Sequence, residues 1–169
     1  MAPQIILRSP LESDMGAMLA LNNEHGAEVG DISLPALERL LRASFHARVT
    51  EERSAFLIGL EQGAGYESPN YLWFSERFDR FAYIDRVLVA VSARRNGLAR
   101  ALYTDFFEAA RRARHPVIAC EVNSDPPNPE SDAFHAAMGF IEIGRAHLPE
   151  RKKSVRYLVR KLSPYPHAH

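Results

Sequence analysis

With 169 residues, 46% hydrophobic and 25% charged, the chain has room for one core and the ordinary composition of a globular domain. Lys+Arg and Asp+Glu both number 21, a balance that argues against nucleic-acid binding through bulk charge. Cys120 is the only cysteine, so no internal disulfide forms and a reducing compartment is the natural reading. No stretch nears the roughly 18 apolar residues that cross a bilayer, and Met1-Ala-Pro-Gln lacks the marks of a signal peptide. The expectation is a cytoplasmic protein without a membrane partner.

In chain order, residues 5–8 read as a short first strand. Met15, Met18, Leu19 and Leu21 recur at helical spacing and predict a helix over 14–22. Ser33 is placed to cap a second helix over 34–44, with Pro35 tolerated in its first turn. Residues 45–49 and 55–61 read as paired antiparallel strands. The stretch 62–80 is too long for a hairpin turn and holds Tyr66, Tyr71, Trp73, Phe74 and Phe78. Such long loops are functional or locally packed, so it is expected to wall a pocket or to form a satellite core or dimer contact. Residues 82–91 form a strand whose branched and aromatic side chains suit a buried place in a sheet. Leu98, Leu102, Phe106, Ala109 and Ala113 mark the apolar face of a helix over 98–114. Residues 117–122 form a strand, and a helix over 129–138 ends at Gly139 as at a C′ glycine. Residues 141–145 and 154–160 make a last strand pair, and 163–169 a frayed tail. No repeat or linker divides the chain, so residues 1–169 are expected to form a single domain.

The strongest chemical signal lies between the strand over 82–91 and the helix that follows. Residues 94–100 read Arg94-Arg95-Asn96-Gly97-Leu98-Ala99-Arg100. The first N–H groups of a helix lack internal partners, and the macrodipole adds positive charge there. Three arginines at that end are the wrong sign for an isolated helix, and no acidic residue compensates before Asp105. An anion resolves the conflict, with Gly97 letting the backbone approach closely. This junction is expected to hold a phosphate group.

A second block follows: Cys120-Glu-Val-Asn, then Asn128-Pro-Glu-Ser-Asp-Ala-Phe-His-Ala-Ala-Met-Gly-Phe140. Together, over residues 81–145, the two blocks resemble the GNAT superfamily of acetyl-CoA-dependent acyltransferases, and the wording around them resembles a bacterial branch of it. The resemblance implies an α/β fold: a mixed, mostly antiparallel twisted sheet of six to seven strands, helices on both faces, and splayed central parallel strands, here 83–91 and 117–122. It implies acetyl-CoA as co-substrate, with pyrophosphate on Arg94, Arg95, Asn96, Gly97, Leu98, Ala99 and Arg100. The backbones of Val87, Leu88 and Val89 are implied to meet pantetheine, and the Val89 N–H to face the oxyanion. Asn128 has a local reading as the cap of the helix starting at Pro129, and the resemblance adds a coenzyme contact.

Acyl transfer to an amine needs a base, because an amine of pKa near 10.4 is neutral only about once in a few thousand molecules at pH 7. Glu121, at the end of an apolar strand, matches the base of N-terminal amine acetyltransferases. Its alternative reading is a strand-end carboxylate paired with a cation. Asp85, on the other splayed strand, matches a catalytic glutamate in other relatives, or forms an ion pair with Arg86. His135, four residues before Gly139, stands where many relatives carry a tyrosine that protonates the coenzyme sulfur. It reads equally as a packed helix histidine. The histidines show no zinc spacing, so no metal is expected. The expected partners are acetyl-CoA and a primary amine, small-molecule or peptide, with a homodimer admitted. The rival readings are a non-catalytic acyl-CoA sensor, and an acyltransferase with another acyl donor or an oxygen acceptor.

Overall fold

In the computed structural model, which describes residues 4–163, seven strands build one sheet. They are β1 (Leu7–Arg8), β2 (His46–Thr50), β3 (Ala55–Glu61), β4 (Ala82–Val89), β5 (Val117–Asp125), β6 (Ile141–Leu148) and β7 (Lys153–Lys161). The helices are α1 (Met15–Glu24), α2 (Gly26–Val29), α3 (Leu34–Ala43), α4 (Pro69–Ser75), α5 (Leu98–Arg112) and α6 (Pro129–Ala137). The strand order is β1-β2-β3-β4-β5-β7-β6. Every neighbouring pair is antiparallel except β4 and β5. The expected tail over 163–169 lies outside the described residues apart from Ser163.

Period-two alternation divides β3 between two cores. Phe56, Ile58 and Leu60 face one side, with Met18, Leu37, Phe74 and Tyr157. Ala55 and Leu57 face the other, with Leu102, Phe106, Ile118 and Phe140. Gly59 belongs to this second face, where a Cβ would lie 2.1 Å from a ring carbon of Phe106. The glycine is what lets α5 settle on the sheet.

Two features of β4 shape the site. Its parallel ladder with β5 holds only at Ala82 opposite Ile118 and Tyr83 opposite Ala119. Beyond Tyr83 the strands part. In the ladder with β3, Ile58 pairs with Arg86 and Gly59 with Ile84. Asp85 is thus an extra, unopposed residue, a bulge that re-aims the strand beside the gap.

The stretch 62–80 is not loop throughout. Ser68 and Pro69 start the two-turn helix α4, whose Tyr71 and Phe74 are buried in the first core. The short helix α2 is a further element that the helical spacing over 14–22 does not show. Helix α5 stops at Arg112 rather than 114, and Arg114 turns left-handed with φ 63°. Strands β6 and β7 run on to Leu148 and from Lys153, since each pairs with the other along its length.

Candidate active site

Where β4 and β5 separate, a cavity of about 710 Å³ opens through the sheet. Tyr103, Cys120, Asn128, Ser131 and His135 line it on the α5–α6 side. Residues 26–32, Tyr66, Ser68, Asn70, Arg151 and Lys153 line the other. Glu121 and Asp85 also line it, and Glu121 sits between the two sides.

Glu121 is held by two donors. Tyr83 Oη donates to Oε2 at 2.7 Å and Asn70 Nδ2 to Oε1 at 3.2 Å. One flank of the residue touches the cavity, so part of its surface stays open, yet it stands deep among Tyr83, Cys120 and Tyr157. Burial pushes its carboxyl up to about 7, against the downward pull of the Tyr83 hydrogen bond. That is the range a base needs at neutral pH.

Asp85 is differently placed. Arg86 Nε donates to its Oδ2 at 2.7 Å, both side chains being nearly fully buried, and Arg86 Nη1 reaches Asn22 Oδ1 at 2.7 Å. The pair forms part of the cavity wall on the Tyr66 side.

His135 has both ring nitrogens engaged. Nδ1 lies 2.7 Å from the Ser131 carbonyl oxygen, which can only accept, so Nδ1 carries the proton. Burial lowers the pKa of the ring and keeps it neutral. Its Nε2 therefore accepts from Tyr103 Oη at 2.8 Å. No N–H of the neutral ring is left for a ligand; the hydroxyl that meets the cavity beside it belongs to Tyr103.

The loop before α5 has the geometry of an anion site. Arg95 and Gly97 adopt left-handed φ values of 66° and 76°. Gly97 is the N-cap, no side chain caps the helix, and no acidic residue stands in its first turn. The first backbone bond across the turn is Ala101 N–H to Gly97 O, at 3.0 Å, so the N–H groups of Leu98, Ala99 and Arg100 precede the helical ladder. Asn96 Nδ2 ties the loop to Ala93 O at 3.0 Å. Arg94 reaches away, its Nη2 donating to His25 Nε2 at 3.2 Å while His25 Nδ1 donates to Leu21 O at 3.1 Å.

The register of β4 supplies the rest. Ala90 N–H bonds Ser54 O at 2.8 Å, so Val89, opposite Ala55, stands at a position that does not exchange bonds with β3. Alternation gives Val87 the same place, and both turn their N–H groups toward the gap left by β5. Leu88 instead pairs toward Phe56 on β3. Asn128 Oδ1 accepts from Ser131 N–H at 3.2 Å and caps α6.

Sequence reasoning missed Tyr83, Asn70, Tyr157 and Tyr103. Tyr83 and Asn70 stand 38 and 51 residues from Glu121 in the chain, and only the hydroxyl of an otherwise core-like Tyr83 or Tyr103 hinted at a polar task.

A splayed parallel pair, an arginine–glycine loop at a helix N-terminus and a buried carboxyl between them define a coenzyme-dependent acyltransferase framework. Residues 34–140 match the Acetyltransferase (GNAT) family, and the chain belongs to that family. No curated protein sequence matches it. Among solved structures it is similar to Arabidopsis thaliana NAA60 in complex with a bisubstrate analogue, at 15% identity over 94% of this chain and 98% of that one, with a TM-score of 0.74. It is also similar to the ribosomal-protein-S18-alanine N-acetyltransferase of Escherichia coli, at 13% identity over 98% and 99% of the chains and a TM-score of 0.71. A third, yncA of Salmonella typhimurium, a putative acetyltransferase with its cofactor acetyl-CoA, is 16% identical over 99% of both chains, with a TM-score of 0.68. Among the described residues no helix is long and apolar enough to cross a membrane, and no group of three acidic, histidine or cysteine side chains is set to hold a metal.

Proposed function

We propose that the protein transfers an acetyl group from acetyl-CoA to a primary amine by direct attack in a ternary complex, with Glu121 as general base. The observation that carries this is a carboxyl with a pKa of about 7, hydrogen-bonded on both oxygens, facing a cavity that crosses the sheet. The loop residues Arg95, Gly97, Leu98, Ala99 and Arg100 fit a pyrophosphate, and the outward N–H groups of Val87 and Val89 fit a pantetheine arm. Arg94 supports that loop from behind through His25.

Ionised Glu121 takes a proton from the ammonium form of the acceptor. The neutral amine attacks the thioester carbonyl carbon, the Val89 N–H faces the oxygen that becomes negative, and the attacking nitrogen sheds its second proton to solvent admitted by the open cavity. As the carbon–sulfur bond breaks, its electron pair leaves with sulfur, and the Tyr103 hydroxyl turns its single proton from His135 Nε2 toward that thiolate. Before that step the His135 Nε2 lone pair accepts the same proton and orients the hydroxyl. A thiol of pKa near 8.5 departs tolerably as its anion, so the chemistry leans on the base. Asp85 neutralises Arg86 in the acceptor wall.

Thiol release from acetyl-CoA, measured against a panel of small amines and peptides, tests the reading. Glu121→Gln is expected to lower kcat about 10²-fold or more, to remove the acidic limb of the pH–rate profile near pH 7, and to leave CoA affinity nearly unchanged. Turnover that survives Glu121→Gln intact refutes the assignment. CoA binding without turnover across the panel favours an acyl-CoA sensor instead.

A further inference from the structure

The base does not stand alone on its strand; a buttress reaches it from α4 and β7. Asn70 is nearly fully buried, and each end of its amide is committed. The ionised carboxylate only accepts, so the Nδ2 group faces Glu121 Oε1. That leaves Oδ1 to accept from Tyr157 Oη, at 2.9 Å. Tyr157 is fixed in turn: Trp73, one turn along α4 from Asn70, stacks on its ring at 4.1 Å and 17°. Arg77 lies over the other face of the indole, 3.7 Å from its centroid. The bulge near Glu142 and Gly144 in β6 makes room, since a Cβ on Gly144 would come within 2.5 Å of the Trp73 ring. This is a rigid line from the surface of α4 to one oxygen of the base.

We propose that Asn70, oriented by Tyr157, is the positioning residue that keeps Glu121 ionisable and aimed into the cavity, an inference that rests on Glu121 being the base. The surroundings explain why a second donor matters. Tyr83 and Asp85 face Glu121 from β4, Tyr103 from α5, Cys120 from its own strand and Tyr157 from β7. None of these is a cation. Burial and the Asp85 charge push Glu121 toward its neutral form, and the Tyr83 and Asn70 hydrogen bonds oppose them. Asn70 is also the donor that comes from the acceptor side of the cavity, beside Ser68 and Tyr66.

The test is the acidic limb of the pH–rate profile in Asn70→Leu and Tyr157→Phe. Removing the Asn70 donor is expected to move the limb upward by about one pH unit, a tenfold change in the ionisation equilibrium. The plateau rate at high pH is expected to fall as well, because the carboxylate loses the donor that aims it into the cavity, and the limb position is read independently of that plateau. Tyr157→Phe keeps the ring under Trp73 but frees the amide to present its oxygen to a protonated Glu121, and is expected to shift the limb in the same direction by less. Asn70→Leu is a buried substitution, so Tyr157→Phe keeps the test open if Asn70→Leu does not fold. A limb that stays in place in the folded variants overturns the proposal.

A second readout separates this proposal from the base assignment. The carboxyl band of Glu121, isolated by infrared difference between wild type and Glu121→Gln in the ligand-free protein, titrates whether or not the protein turns over. If Glu121→Gln leaves the limb of the rate profile in place, the base reading fails. The infrared midpoint still has to move in Asn70→Leu, and an unmoved midpoint overturns the positioning role.

Discussion

Holding a carboxyl at about pH 7 inside a sheet has a cost that appears in stability as well as in rate. The folded pKa lies above the ordinary carboxylate value of about 4.3. Between those two values the native state therefore binds the extra proton. Stability is highest with Glu121 protonated and falls as pH rises from about 4.3 through 7. Because one flank touches the cavity, the loss at high pH is about 2–3 kcal/mol rather than the full equivalent of the shift. Glu121→Gln keeps the shape and removes the charge. It is expected to melt about 4–10 °C above wild type at pH 8.5 and close to wild type at pH 5, measured by calorimetry or far-UV dichroism. Equal melting at both pH values contradicts a buried, ionised Glu121. With Glu121 as the proposed base, the variant expected to damage turnover is thus also expected to stabilise, as where a site stores unfavourable burial.

At the scale of elements, α5 and the loop before it make the proposed coenzyme end of the site. Gly97 carries φ 76°, and a Cβ there would meet nothing within 4 Å. Gly97→Ala is therefore limited by backbone strain alone, about 1–2 kcal/mol, and is expected to weaken CoA binding modestly. Gly97→Glu adds a negative charge beside the free N–H groups of the first turn, and calorimetric titration is expected to show at least a tenfold loss of CoA affinity. Unchanged affinity in folded Gly97→Glu removes this loop from the site. The loop was legible in the sequence because its chemistry is local: arginines, a glycine and a helix start within seven residues. The order of strands and the main helices was legible for the same reason, through periodicity. Helix α4 was not, because two turns between Pro69 and Ser75 give a period too little length to declare itself. The supports of Glu121 and His135 were hidden by distance along the chain. Tyr103 reaches His135 across 32 positions and Tyr157 reaches Asn70 across 87, so only the folded sheet brings them together.

On the scale of the whole molecule, the contact between Arg94 and His25 has a kinetic consequence. His25 stands at the junction of α1 and α2, directly before the residues that wall the acceptor side of the cavity. The β7 part of that same wall also reaches the segment, Lys153 Nζ donating to the Glu28 carbonyl at 2.9 Å. On the proposed reading, settling the arginine loop on a pyrophosphate also settles the wall proposed to receive the amine. Substrates are then expected to add in a compulsory order, donor before acceptor, with CoA leaving last. Product inhibition reads this directly: CoA competes with acetyl-CoA but is noncompetitive toward the amine. Replacing His25 with alanine cuts the tie and should relax the order toward random addition, with the amine gaining measurable affinity for the free enzyme relative to its ternary complex. A strict order preserved in folded His25→Ala shows that the two half-sites communicate by another route.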